Sequence, residues 1–61
     1  MNDFITITTQ EGLRSINRRY IISIFPCDEG TKLILDPLTG EHGMEYTALE
    51  PYDEVVNRYL I

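Results

Sequence analysis

The chain has 61 residues, a formal net charge of −5, one cysteine and one histidine. This length allows one small domain, residues 1–61, and such a domain removes only about 60% of its unfolded surface from water. The lone cysteine and lone histidine exclude an internal disulfide and the paired ligands of a structural zinc site. Because so small a core is marginal, we expect a protein partner or a second copy of the chain to supplement it.

The composition is that of an ordinary globular chain, with 43% hydrophobic and 25% charged residues. No apolar run approaches the roughly 18 residues of a membrane span, and "MNDFITITTQ" lacks the pattern of a signal peptide. We therefore expect a cytoplasmic protein without a membrane partner. Ten acidic side chains against five basic ones make nucleic acid an unfavourable partner, because non-specific binding to phosphates depends on lysine and arginine.

The first two predicted strands form a hairpin. In "DFITITTQEG" Ile5 and Ile7 fall on one face and threonines on the other, as in a half-buried strand. Gly12 suits a turn because it has no Cβ, and "LRSIN" then returns as the second strand.

The third predicted strand, "YIISIF", follows a bend. Asn17 favours the bend because its side chain can hydrogen-bond the neighbouring backbone. The inward face of the strand is ambiguous, since Ile21 and Ile24 are three apart while alternate residues from Tyr20 are also apolar. A β-bulge or a helical turn near Tyr20 would reconcile the two patterns. Pro26 is expected to end this strand, because it has no amide hydrogen for the ladder.

Two more strands are predicted before the helix. A tight turn at "CDEG" leads into "TKLILD", in which Leu33 and Leu35 share one face. The segment "PLTGEHGM" indicates a turn or loop, and "MEYTAL" is the last strand, with Met44, Tyr46 and Ala48 on one side.

The C-terminal segment "EPYDEVVNRYL" predicts a helix. Pro51 suits the first helical position, Asp53 and Glu54 favour the positive end of the helix dipole, and Arg58 favours the other end. A helix of about ten residues is not stable alone, so it should pack against the sheet. The residues of its apolar stripe are Tyr52, Val55, Val56, Tyr59 and Leu60.

These elements predict an α+β, mostly β fold: four to five short antiparallel strands and one C-terminal amphipathic helix. The strands would form either an open curved sheet or a small SH3-like barrel, and periodicity alone does not distinguish the two.

The order of "SIN", "YIISIFP", "GTKLIL" and "EYTALEPYDEVVNRYL" resembles the pattern of the small bacterial FlbD-type proteins, also called SwrD-type, and of related short uncharacterised bacterial proteins. The resemblance covers most of the chain, through apolar periodicity and turns. The matching positions are Ile16, Asn17, Ile21, Ile24, Pro26, Thr31, Leu33, Leu35, Tyr46, Glu50, Glu54 and Val55.

Two positions depart from that pattern. Pro51 stands where the family usually has serine, and "DPLTGEHG" is longer than the usual turn. The resemblance implies a compact, mostly β fold and a non-enzymatic role, linked in some members to flagellar motility. No motif in this chain specifies a flagellar role.

The candidate reactive residues do not form a catalytic, metal or cofactor site. His42 lies in a glycine-flanked loop without a converging second group, and Asp28 beside Cys27 disfavours a reactive thiolate. The acids of "CDE" and Asp36 lack the spacing of a calcium loop, and the candidate nucleophiles have no histidine placed to activate them. These candidate nucleophiles are Thr8, Thr9, Ser15 and Ser23. We predict no enzymatic activity, no cofactor and no small-molecule substrate.

Two groups of residues are candidates for an interaction surface. Arg14, Arg18 and Arg19 with Tyr20 could bind phosphate or a carboxylate-rich partner, or else pair with the abundant acids at a strand edge. Tyr46, Tyr52 and Tyr59 either pack in the core or form an exposed seam for dimerisation.

The sequence thus favours a small interaction or self-association module that uses a sheet edge or the helix face. One alternative is a small RNA-binding regulator, similar in size to CsrA-type or Sm-like proteins, that uses the three arginines. Another is an acidic inhibitor from a phage or mobile element, whose carboxylates imitate phosphates.

Overall fold

The structure is a computed structural model that describes residues 3–36 and 45–61. Strands β1 and β2 pair antiparallel, and β3, β4 and β5 form a second antiparallel sheet with β4 in the centre. The predicted α+β fold class is confirmed, with the strands divided between two sheets. The elements are β1 (Phe4–Thr9), β2 (Gly12–Asn17), a 3₁₀ turn (Arg18–Tyr20), β3 (Ile21–Cys27), β4 (Gly30–Leu35), β5 (Glu45–Ala48) and α1 (Tyr52–Leu60).

One hydrophobic core is shared by both sheets and the helix. Alternation along β1 and β4 turns Ile5, Ile7, Leu33 and Leu35 inward, as predicted, because successive strand residues point to opposite faces. The buried apolar residues of the described chain are Ile5, Ile7, Ile16, Ile21, Leu33, Leu35, Ala48 and Val55.

The helical turn and the pairing irregularity, offered by the sequence as alternatives near Tyr20, are both present. The Asn17 side chain accepts a hydrogen bond from the Arg19 amide (3.0 Å) and so holds the 3₁₀ turn. The pairing of β3 with β4 then shifts register between Ile21 and Ser23. As a result Ile21 is buried and Ile24 packs against the core, three residues apart.

The prediction that Pro26 ends β3 is wrong. The strand continues to Cys27, with Pro26 opposite Thr31 and Cys27 opposite Gly30. The reason lies in the sheet order: β3 is an edge strand, where a missing amide hydrogen leaves no gap in a central ladder.

The two sheets meet where β1 passes the end of β5. The Leu49 amide donates to the Thr8 carbonyl oxygen (2.7 Å), and the buried Thr31 hydroxyl donates to the Glu50 carbonyl oxygen (2.8 Å). Gly30 lies so close to the same segment that a Cβ there would collide with the Ala48 carbonyl oxygen. The β3–β4 hairpin therefore fits tightly against the connection between β5 and α1.

Helix α1 begins one residue later than predicted. Pro51 is its N-cap residue, with φ −65° and an extended ψ of 159°, and the first helical residue is Tyr52. The helix packs against β1, β3 and β4.

The predicted apolar stripe of α1 is buried only in part. Val55 is fully buried, and Val56 and Tyr59 are half-buried. Tyr52 and Leu60 remain 41% and 72% exposed, respectively. The two small sheets cover only the centre of the apolar face of α1.

The predicted loop, with His42 and Met44, lies outside the described residues. Within residues 3–36 and 45–61 no helix is both long and apolar enough to cross a membrane.

The tight fit at Gly30 predicts that an alanine there costs more stability than an alanine at Gly12. Both glycines have a positive φ, 148° at Gly30 and 117° at Gly12. A Cβ at Gly30 would collide with the backbone of residues 48–50, whereas a Cβ at Gly12 would have no atom within 4 Å. We expect Gly30→Ala to lower the free energy of unfolding by about 1–3 kcal/mol more than Gly12→Ala does, because only Gly30 adds overpacking to backbone strain. Urea unfolding measures both, and equal costs at the two positions would contradict the packing described.

Candidate interaction surface

A charged cluster joins the start of α1 to β1. Glu50, between β5 and α1, accepts hydrogen bonds from the Thr8 amide at both carboxylate oxygens (3.0 and 3.1 Å). The Thr8 hydroxyl donates to Glu50 Oε2 (2.9 Å), and so does Arg58 Nη1 (3.0 Å). The Glu50 side chain is only 13% exposed, so these charge-assisted bonds are partly shielded from water.

Arg58 completes the cluster. Its Nη1 donates to the Thr6 carbonyl oxygen (2.8 Å), and its Nη2 donates to Glu54 Oε2 (2.6 Å). The edge of β1 that does not face β2 is therefore bonded to side chains of the helix segment, at Thr6 and Thr8. Arg58 lies in the last turn of α1, as predicted, but its guanidinium points back along the helix to Glu54 and Glu50.

The pKa of Glu50 is lowered from 4.5. Burial by itself would raise this pKa, but the hydrogen bonds that the carboxylate accepts from Thr8, from its own amide and from Arg58 together outweigh burial. The environment therefore favours the ionised carboxylate that holds the cluster.

An open groove of about 670 Å³ lies over this cluster. Its lining includes charged Glu50 and Arg58 and the exposed apolar residues Phe4, Leu13 and Ile61. Glu50 and Arg58 already bond to each other and to β1, and we call this cluster the clip.

The three candidate arginines engage three different partners. The Arg14 guanidinium carbon lies 5.1 Å from the centre of the Tyr46 ring, a cation–π contact. Arg18 Nη1 donates to the Tyr59 carbonyl oxygen at the C-terminal end of α1 (3.0 Å), where a cation suits the helix dipole.

Arg19 Nε lies 3.7 Å from Asp3 Oδ2, in an exposed ion pair. Arg14 and Tyr20 line one small cleft of about 180 Å³ with Tyr46, whereas Arg18 lines the larger groove. The predicted arginine cluster is therefore spread over separate parts of the surface.

Two of the candidate tyrosines lie in a different place. Tyr52 and Tyr59 border a shallow groove of about 290 Å³ between α1 and the edge strand β3. Three of its apolar side chains are well exposed: Ile22 (64%), Leu60 (72%) and Tyr52. We call this surface the α1–β3 seam, and its residues are Ile22, Tyr52, Val56, Tyr59 and Leu60.

Two local features of β3 and α1 produce the seam. The register shift in β3 falls at Ile22, between buried Ile21 and exposed Ser23, and leaves Ile22 outside the core. The apolar stripe of α1 is wider than the sheets can cover, which leaves Tyr52 and Leu60 beside Ile22. The result is a contiguous apolar strip at the molecular surface.

The other candidate residues lie apart from one another. Cys27 is a half-buried free thiol at the end of β3, and Asp28 and Glu29 are exposed in the following turn. The Thr9 hydroxyl accepts from the Glu11 amide and donates to the Gly12 carbonyl, so it holds the β1–β2 turn.

Ser15 lies with Thr6 on the exposed face of the first hairpin, their hydroxyls 3.3 Å apart. Ser23 lies in β3, and Asp36 directly follows β4. In the part of the chain that the structure describes, no group of three or more His, Cys, Asp and Glu is placed to hold a metal ion.

The sequence reasoning missed the roles of Glu50 and Thr8. A local signal was present, since Glu50, Glu54 and Arg58 follow one another at intervals of four, the spacing of neighbours on one helix face. No local pattern points to Thr8, which is 42 residues from Glu50 in the chain.

Comparison with known proteins found no matching family model, no matching curated protein and no matching solved structure.

The contacts of Glu50 predict that even a nearly isosteric substitution there lowers stability substantially. Glu50→Gln removes the charge that Thr8 and Arg58 bond to, and should lower the free energy of unfolding by about 2 kcal/mol, the scale of hydrogen bonds to a charged group. The matched control is Glu45→Gln, because Glu45 is exposed and pairs with Lys32 at 3.7 Å. The control should change stability by about 0.5 kcal/mol or less in the same urea titration.

The lowered pKa of Glu50 also predicts how the stability difference between wild type and Glu50→Gln depends on pH. As pH falls below 4.5, the unfolded chain takes up a proton at Glu50 before the folded chain does. The stabilisation from ionised Glu50 is therefore complete above pH 4.5 and is lost as pH falls through the lowered folded-state pKa. Urea unfolding of both proteins across that range should show the difference shrinking; a difference that grows on acidification would reverse the assignment.

Proposed function

We propose that this chain is a non-enzymatic protein-interaction module that contacts its partner through the α1–β3 seam. The observation that carries the proposal is the adjacency of exposed Ile22, Tyr52 and Leu60 in one apolar strip. Full burial of a large apolar side chain contributes about 1.5–3 kcal/mol, so three such side chains can sustain binding. Exposed contiguous apolar surface on a small domain is typical of an interaction site.

Side-chain docking on the seam is favoured over strand addition to β3. The exposed edge of this strand has a register shift at Ile21/Ser23 and a proline at Pro26. Bulges and prolines are the features that hinder a new strand from pairing with an edge. Between the edge of β3 and the helix face beside it, the helix face is therefore the better candidate.

The seam is also favoured over the larger groove. Docking onto the groove would cover Glu50 and Arg58. Removing these charged side chains from water costs free energy unless the partner supplies polar groups in place of the water. The seam is lined almost entirely by apolar side chains and has no such cost.

The contacts of the described arginines and acids favour neither alternative function. Phosphate binding would have to draw Arg14 from Tyr46 and Arg18 from the end of α1. An inhibitor that imitates nucleic acid needs an array of acids on one side, whereas four acids here pair with cations. These four are Asp3, Glu45, Glu50 and Glu54.

Membership of the FlbD/SwrD-type group and a cytoplasmic location are part of the same proposal. The family membership rests on the order of the quoted segments, and the location rests on the single free cysteine, which suits a reducing compartment.

Site-specific photo-crosslinking in the native cell tests the proposal. A photoreactive phenylalanine derivative at position 60 should give discrete protein adducts, because the seam is where the partner lies. The same derivative at position 13 is the control, since Leu13 is as exposed (77%) but lies on β2. Adducts from position 13 and none from position 60 would refute the proposed surface.

A further inference from the structure

The α1–β3 seam has a direction. At one end, the β3–β4 turn packs against the start of α1, through Gly30 and the bond from Thr31 to Glu50. At the other end, Arg18 of the 3₁₀ turn bonds to Tyr59 at the end of the helix. Helix α1 therefore runs opposite to β3.

Opposite charges lie at the two ends of the seam. Asp53 is exposed in the first turn of α1, and Asp28 is exposed in the nearby β3–β4 turn. At the far end, Arg19 in the 3₁₀ turn before β3 has a side chain that is 74% exposed, and its Nε forms only the weak exposed ion pair with Asp3. Arg18, bonded to the Tyr59 carbonyl oxygen, lies at the same end. Two arginines against one aspartate make the strip basic beyond Leu60, whereas it is acidic beside Tyr52.

We propose that the seam binds a second copy of this chain, in the opposite direction, about a two-fold axis near Val56. This inference rests on the proposed function and names its partner. Tyr52, Val56 and Leu60 are four residues apart and lie on one helix face, so a two-fold axis at Val56 sets each Tyr52 over Leu60 of the second copy. Symmetric dimers use the same patch on both chains, and that patch must complement itself when reversed.

Charge complementarity selects a second copy over other occupants. A uniformly basic partner would face Asp53 favourably and Arg19 unfavourably, and a uniformly acidic partner would do the reverse. A reversed copy matches both ends, with Asp53 of each chain near Arg19 of the other. The arrangement also covers the Ile22 and Leu60 side chains of both copies.

The dimer should be weak. A few exposed apolar side chains on each copy place the buried area below the roughly 1,200 Å² of standard interfaces. The net charge of −5 on each chain also opposes association. We expect a dissociation constant of order 10–100 μM, and thus a dimer at about 1 mM and a monomer at about 1 μM.

Sedimentation equilibrium of the full chain over that concentration range is the first test. Wild type should pass from monomer to dimer, and a strict monomer at about 1 mM overturns the inference. Leu60→Glu should weaken dimerisation about tenfold or more, since it places a charge in the contact. Leu13→Glu is the matched control and should leave the constant unchanged; the opposite ranking of the two variants overturns the inference.

Charge reversal tests the direction of the pairing. Asp53→Arg and Arg19→Asp should each weaken the dimer several-fold, and the double variant should recover most of the loss because the pair is restored in reversed order. A double variant weaker than either single variant rules out the antiparallel arrangement. Thermal unfolding of each variant separates a binding effect from a folding effect.

The two proposals fail differently. A monomer at every concentration, together with adducts from position 60 to a different protein, removes the second copy as partner and leaves the proposed function standing. A monomer without any adduct from position 60 removes both.

Discussion

Strand β1 pairs with β2 along one edge, and the backbone groups along its other edge need hydrogen-bond partners of their own. Glu50 and Arg58 supply them at the Thr8 amide and the Thr6 carbonyl, and the Leu49 amide supplies the next at the Thr8 carbonyl. Two charged side chains thus act where another strand would. Because they come from the start and end of the helical segment, the same bonds fasten α1 across the junction of the two sheets.

The seam is a consequence of that attachment. With α1 held along β1 by its charged face, Val55 reaches the centre of the core, while Tyr52 and Leu60 extend past the sheets beside Ile22. The five strands of the described residues leave both side chains exposed. The small core and the proposed contact surface therefore share one cause: the helix carries more apolar surface than this fold can bury.

The sequence predicted what depends on near neighbours. Alternation placed Ile5 and Ile7 correctly, and the spacing of Ile21 and Ile24 pointed to the irregularity at the start of β3. It could not predict that β3 continues past Pro26, which depends on the order of strands in the sheet, nor the bond between Thr8 and Glu50, which joins distant parts of the chain. Arg14 and the arginines of the 3₁₀ turn are close in sequence, but a strand and a turn direct them to different partners.

The exchange rate of the Thr8 amide hydrogen shows whether the clip fastens the helical segment to β1. This amide bonds to the Glu50 carboxylate, so its protection reports the clip itself. We expect the Thr8 amide to open with nearly the same free energy as the Leu49 amide and the Val55 amide of α1, as one cooperative unit. A Thr8 amide that exchanges at close to the unfolded-chain rate, while Leu49 and Val55 stay protected, would contradict this expectation.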